Sequence, residues 1–116
     1  MLKFCRWRCE LRNLPVQFID LKIAALPAKA FDLITAMDVF EHLVDPVGTV
    51  DQLDRALKPG GFLFGRYHAD KNDNQADHIV YDFMPTFARL ASLGYAKVWQ
   101  DRWLWGHEVF QKPPDL

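Results

Sequence analysis

The chain has 116 residues, half of them hydrophobic and a quarter charged, with 14 Lys+Arg against 15 Asp+Glu and a formal net charge of -1. That length suits one compact domain, and the composition excludes a disordered tail, a collagen-like repeat and a disulfide-stapled miniprotein. The charge balance offers no field to draw nucleic acid or an anionic membrane, and no apolar run approaches the ~20 residues of a bilayer span.

Residues 2–12 read as a short helix with two apolar stripes, Leu2, Cys5 and Cys9 on one side and Phe4, Trp7 and Leu11 roughly opposite. A helix apolar on two sides needs cover on both. Cys5 and Cys9 are too few and too close for an extracellular framework, which predicts reduced thiols and a cytoplasmic protein. The charged start fits no secretion signal. Asn13 and Pro15 stop the helix, and Val16–Ile19 reads as a short strand ending at Asp20. A linker containing Pro27 leads to a second strand over 31–37.

The next helix is well punctuated. Asp45 is a good N-cap, and Pro46 takes the first helical position, where its missing N–H costs nothing. Val47, Val50, Leu53 and Leu57 then form one core-facing stripe, and Pro59-Gly60-Gly61 is expected to end the helix in a turn. Phe62–Phe64 reads as a buried strand. Residues 66–78 form a polar loop. Asp82 is placed to cap a helix over 83–93, with Phe83, Phe87 and Leu90 inward and Gly94 just past its end. Tyr95–Gln100 and Leu104–Gln111 are expected to pair as a hairpin around Asp101-Arg102. With no internal repeat, residues 1–116 read as a single domain, an α/β fold with a mostly parallel sheet and a C-terminal antiparallel hairpin.

Two stretches carry a resemblance: Phe31-Asp-Leu-Ile-Thr-Ala-Met-Asp-Val-Phe-Glu-His-Leu-Val-Asp-Pro46 and Arg55-Ala-Leu-Lys-Pro-Gly-Gly-Phe-Leu63. Together they resemble class I S-adenosylmethionine-dependent methyltransferases, in particular the small-molecule group with an "FDLI…VFEHLxDP…LKPGG" pattern. His78-Ile-Val-Tyr-Asp82 and Leu93-Gly-Tyr95 are similar to later segments of the same family. The resemblance implies a Rossmann-like sheet, with Phe18-Ile-Asp20 similar to the family's third strand and Leu26-Pro27 to the connection to its fourth. It implies S-adenosylmethionine as cofactor and a small-molecule acceptor. The glycine-rich turn and the ribose-binding carboxylate of the family have no counterpart here, and no Gly-x-Gly occurs. The chain therefore resembles a C-terminal portion without the N-terminal strands, and weak cofactor binding and weak or no activity are expected of it.

On this resemblance Asp20, Met37 and Asp38 are the candidate cofactor wall. Asp20 would accept from the adenine amino group, although an aspartate ending a strand at a turn is also common. Glu41, His42 and His68 are the acceptor-side candidates. A histidine beside a carboxylate can take a proton from a hydroxyl or amine, although the pair would equally suit a solvated turn. His68, Asp70, Asp73, Asp77 and His78 are donor types for a divalent metal, but their spacing matches no tight motif, so no metal site is expected. Cys5 and Cys9 lack the second pair that zinc requires. Trp99, Trp103 and Trp105 beside Arg102 suit a stacking surface or an interface. Two further readings stand beside methyl transfer. One is a non-catalytic module that pairs with its own copy or a complementing chain, and the other is a small metal-dependent hydrolase on the 68–78 loop.

Overall fold

In a computed structural model describing residues 1–68, 76–103 and 105–115, the chain folds as α1 (Leu2–Leu11), β1 (Phe31–Ala36), a 3-10 turn (Phe40–His42), α2 (Pro46–Ala56), β2 (Leu57–Arg66), α3 (Met84–Ser92), β3 (Ala96–Gln100) and β4 (His107–Gln111). The strands form one sheet in the order β1-β2-β4-β3. β1 and β2 run parallel with α2 as their crossover, and β4 is antiparallel to both β2 and β3. The α/β class and the closing hairpin are as expected. The returning strand inserts beside β2, which leaves β3 at the edge.

The strand expected over Val16–Ile19 is not formed. This stretch is irregular, with the Val16 N–H bonded to the Leu14 carbonyl at 2.9 Å. A β-prone run needs a neighbour to complete its ladder. The edge strand β1 pairs only with β2 in this sheet.

α2 begins as its sequence dictates. The Asp45 carboxylate accepts from the Gly48 N–H at 2.9 Å, Pro46 occupies the first turn, and Val50 is buried. Leu57 corrects the expected stripe, because it opens β2 instead of closing the helix. Pro59 disfavours helical geometry at Lys58, and the Lys112 ammonium donates to the free carbonyls of Asp54 and Leu57 at the helix end. Pro59-Gly60-Gly61 therefore lies inside β2. Between the pairs Phe31–Leu57 and Leu33–Phe62, β1 advances two residues while β2 advances five, so the segment between Leu57 and Phe62 bulges out.

We expect Asp45→Ala to cost about 1 kcal/mol in urea unfolding through loss of the cap. Asp51→Ala should cost less, about 0.5 kcal/mol, because its bond to Arg89 of α3 is half-exposed. Equal losses would contradict this placement of the helix start.

α3 starts where Asp82 accepts from the Met84 N–H at 3.0 Å, and it ends before Gly94, whose φ is +84°. Phe40, Val50, Leu57, Leu63, Leu90, Tyr95 and Phe110 close the core on the face of the sheet that packs α2 and α3. Tyr95 donates to Asp54 at 2.9 Å. Burial, with that hydrogen bond second, raises its phenol well above the ordinary range. The opposite face is different. Leu33, Phe62, Phe64, Val109 and Trp99 share it through direct cross-strand pairing, and Leu33, Phe62 and Trp99 are exposed.

Candidate active site

β1 delivers the chain to a sharp turn. Asp38 follows Met37 in a left-handed conformation, φ +51°, which aspartate tolerates better than most residues. Its carboxylate accepts from Arg66 Nη1 at 3.1 Å. Arg66, at the end of β2, also donates from Nε to the Trp105 carbonyl and lies over that indole at 5.4 Å. One guanidinium thus ties the β1 turn to the β3–β4 connection.

Val39 leads into the 3-10 turn, where Phe40 is wholly buried against the Tyr67 ring at 5.0 Å. That anchor draws its neighbour inward. Glu41 is only 2% exposed, and its Oε2 is buried with no hydrogen-bond partner among the described residues. The Glu41 carbonyl accepts from the N–H groups of Ile79 and Val80 at 2.8 and 3.0 Å, folding the segment before α3 over the turn.

His42 is oriented by that segment. Its Nδ1 lies 2.8 Å from the Asp77 carbonyl and 3.5 Å from the Asp77 carboxylate, while its Nε2 faces Glu41 Oε1 at 3.8 Å. A carbonyl can only accept, so Nδ1 carries a proton. His78 meets the His42 ring edge-on, with centroids 4.7 Å apart. Glu41, His42 and His78 each present one donor atom, all within 4.8 Å of one another.

The candidates therefore separate. Glu41 and His42 come together and are joined by His78 and Asp77, two of the polar-loop residues weighed above as metal-donor types. His68 lies exposed beyond β2 and outside this group. Asp70 and Asp73 lie outside the described residues. Asp38 is engaged by Arg66, Met37 is half-buried beside it, and the Asp20 carboxylate accepts from the Lys22 N–H at 3.0 Å in a local turn. No described hydrogen bond links Asp20 with Met37 or Asp38. A groove of about 440 Å³ borders the Asp20 turn, lined by Leu21, Ile23 and Leu26 with Gln52 and Arg55 of α2, and none of these candidates lines it. Among the described residues, the candidates thus gather at two separate places and do not together line one cradle for S-adenosylmethionine. No sequence signal marked Arg66, because its role arises from strand register.

Behind the turn, the Tyr67 hydroxyl is buried with no hydrogen-bond partner among the described residues. Burial first and the Glu108 charge second push its phenol well above the ordinary range, which keeps it neutral. Trp103 and Trp105 are exposed, and Trp99 stacks on Phe64, with Arg66 rather than Arg102 as the cation over Trp105.

An open α/β sheet with polar residues gathered just past the carboxyl end of a parallel strand is the arrangement of the Rossmann-like ligand-binding class. Residues 7–106 match the family model described as a methyltransferase domain, and the chain belongs to that family. Among curated relatives, a ubiquinone biosynthesis O-methyltransferase of Coxiella burnetii is 38% identical over 52 residues, 45% of this chain and 22% of the relative. The Histophilus somni protein of the same name is 44% identical over 55 residues, 47% of this chain and 23% of the relative. The cyclase SpnF superposes with a TM-score of 0.68 at 14% identity, over 95% of this chain and 61% of that one. A Leishmania major S-adenosylmethionine-dependent methyltransferase superposes with a TM-score of 0.62 at 19% identity, over 90% and 48%. The matched stretch thus spans under a quarter of these curated relatives, and the two structural likenesses establish the fold alone.

Proposed function

We propose that the chain is the acceptor-side portion of an S-adenosylmethionine-dependent methyltransferase acting on a small-molecule hydroxyl, weak or inactive by itself. The observation that carries this reading is the Glu41–His42 pair at the carboxyl end of β1, the edge where ligands of open α/β sheets sit. The curated relatives' names support an oxygen acceptor. S-adenosylmethionine, when bound, supplies an electrophilic methyl group. The chain's own part is to hold the acceptor and take its proton. His42 Nδ1 is held by the Asp77 carbonyl, which leaves the Nε2 lone pair as the base. Glu41, 3.8 Å away, stabilises the imidazolium that forms. On this reading Met37 and Asp38 border the methionine end of the cofactor and Asp20 its adenine. His68 remains an acceptor-side candidate, and the setting is cytoplasmic.

Isothermal titration tests the cofactor half of the reading. Without a glycine-rich turn the chain should bind S-adenosylmethionine with a Kd of about 1 mM or weaker, ~4 kcal/mol. Low-micromolar affinity would overturn the expected weakness.

A second reading is favoured by the uncovered sheet face, the free edge of β1 and exposed Phe4, Trp7 and Leu11 on α1. Open parallel edges and apolar sheet faces require cover, which a second copy or a complementing chain would supply. Light scattering across a dilution series should show association at tens of micromolar. A single 13.5 kDa species there, with a cooperative melt, would refute it.

A further inference from the structure

We propose that the groove between residues 20–30 and α2 binds a small aliphatic monocarboxylate, with its carboxylate on Arg55 and its chain along the 20–30 segment. The first support is that the groove is built. The Asp20 carbonyl accepts from the N–H groups of Ile23 and Ala24 at 3.1 and 3.0 Å, which turns the chain there. At the other end the N–H groups of Lys29 and Ala30 donate to the carbonyls of Arg55 and Ala56, each at 2.8 Å. The segment is thus fixed at both ends, the second onto the last turn of α2, and about 440 Å³ stays open between them. That is a small-molecule volume, with room for a chain of about eight carbons.

The second support is charge. Arg55 and Lys22 line the groove with Gln52, and no aspartate or glutamate among the described residues does. The neighbouring carboxylates are engaged elsewhere. Asp20 accepts from the Lys22 N–H, Asp51 from Arg89, and Asp54 meets Tyr95 and Lys112. Neither the Arg55 nor the Lys22 side chain makes a hydrogen bond or ion pair with a described residue. Two unneutralised cations beside an otherwise apolar trough select an anion, and a guanidinium presents the planar fork that fits a carboxylate.

The third support is the apolar lining. Leu21, Ile23 and Leu26 line the groove, and Leu21 and Ile23 are 58% and 85% exposed. Large aliphatic side chains this bare beside a concavity form a surface that an alkyl chain would cover. No aromatic residue among those described lines the groove, so the lining suits a chain better than a ring.

The inference does not rest on the methyl-transfer reading, since neither Glu41 nor His42 lines this groove. Octanoate tests it on the full chain, titrated by calorimetry below its micelle concentration. It should saturate at one equivalent with a Kd of about 1 mM or tighter, and 1-octanol and butyrate should each bind at least ~10-fold more weakly. Arg55→Gln should weaken octanoate ~10-fold, and Arg55→Lys less, because lysine keeps the charge without the fork. Leu21→Asp should weaken it as well, by setting a charge against the carboxylate. Lys3→Gln, which removes an exposed cation of α1, should change nothing. Arg55 and Leu21 are exposed, and melts of the ligand-free variants report their folding. The proposal fails if octanoate does not saturate at one equivalent, or if 1-octanol binds as tightly. It also fails if Arg55→Gln binds octanoate as the parent does. Displacement of octanoate by S-adenosylmethionine at equal concentration would give the groove to the cofactor, overturning this inference while leaving the methyl-transfer reading in place.

Discussion

Phe40→Ala is expected to cost about 3–5 kcal/mol, a large share of the 5–15 kcal/mol typical of a whole domain. Phe40 is fully buried, packs on Tyr67 and belongs to the core cluster between the sheet and its helices, so its removal leaves a cavity there. Its position makes the loss functional as well as structural. Glu41 and His42 share its 3-10 turn, and the segment over them hangs on the Glu41 carbonyl. Urea unfolding followed by tryptophan fluorescence reads the loss, with Phe40→Leu as the milder comparison at about 1 kcal/mol. A loss below 1 kcal/mol for the alanine variant would mean that Phe40 does not anchor this turn.

Gly61→Val should be the next most damaging change, at about 2–3 kcal/mol. A Cβ there would stand 2.8 Å from the Lys58 carbonyl oxygen and 3.0 Å from that of Asp32. Both obstacles are backbone, so relief requires moving the bulge of β2 away from the start of β1. Gly60→Ala next door provides the contrast. No atom lies within 4 Å of its added Cβ, but φ is +76°, so the cost is one strained residue, about 1 kcal/mol. Parallel urea melts should rank valine at 61 well below alanine at 60, and the reverse order would show that the bulge is not packed against β1.

Much of this protein was legible in local patterns. The Asp45-Pro46 helix start, the strand at Phe31, the helix before Gly94 and the hairpin all follow from capping chemistry, proline geometry and short-range periodicity, and each is present. The resemblance carried by Phe31–Leu63 reached further, to the family that residues 7–106 match. Glu41 and His42 were visible as a pair because they are adjacent in the chain.

What local pattern could not decide was anything dependent on a distant partner. Val16–Ile19 has the composition of a strand but lacks a strand to bond, so it stays irregular. Leu57 fits the helical stripe, yet Pro59 and the Lys112 ammonium 55 residues away set the helix end and hand Leu57 to β2. Asp38 reads as a ligand-facing residue, and Arg66 reaches it only because β1 and β2 lie parallel and side by side. His78 joins Glu41 and His42 through two backbone hydrogen bonds to one carbonyl. The sequence by itself determined where β1, α2 and α3 begin and which family the chain belongs to, since those depend on neighbouring residues. The tertiary structure alone decided which charges are paired, which carboxylate is buried and which histidine faces it, because such contacts depend on sheet register and loop closure.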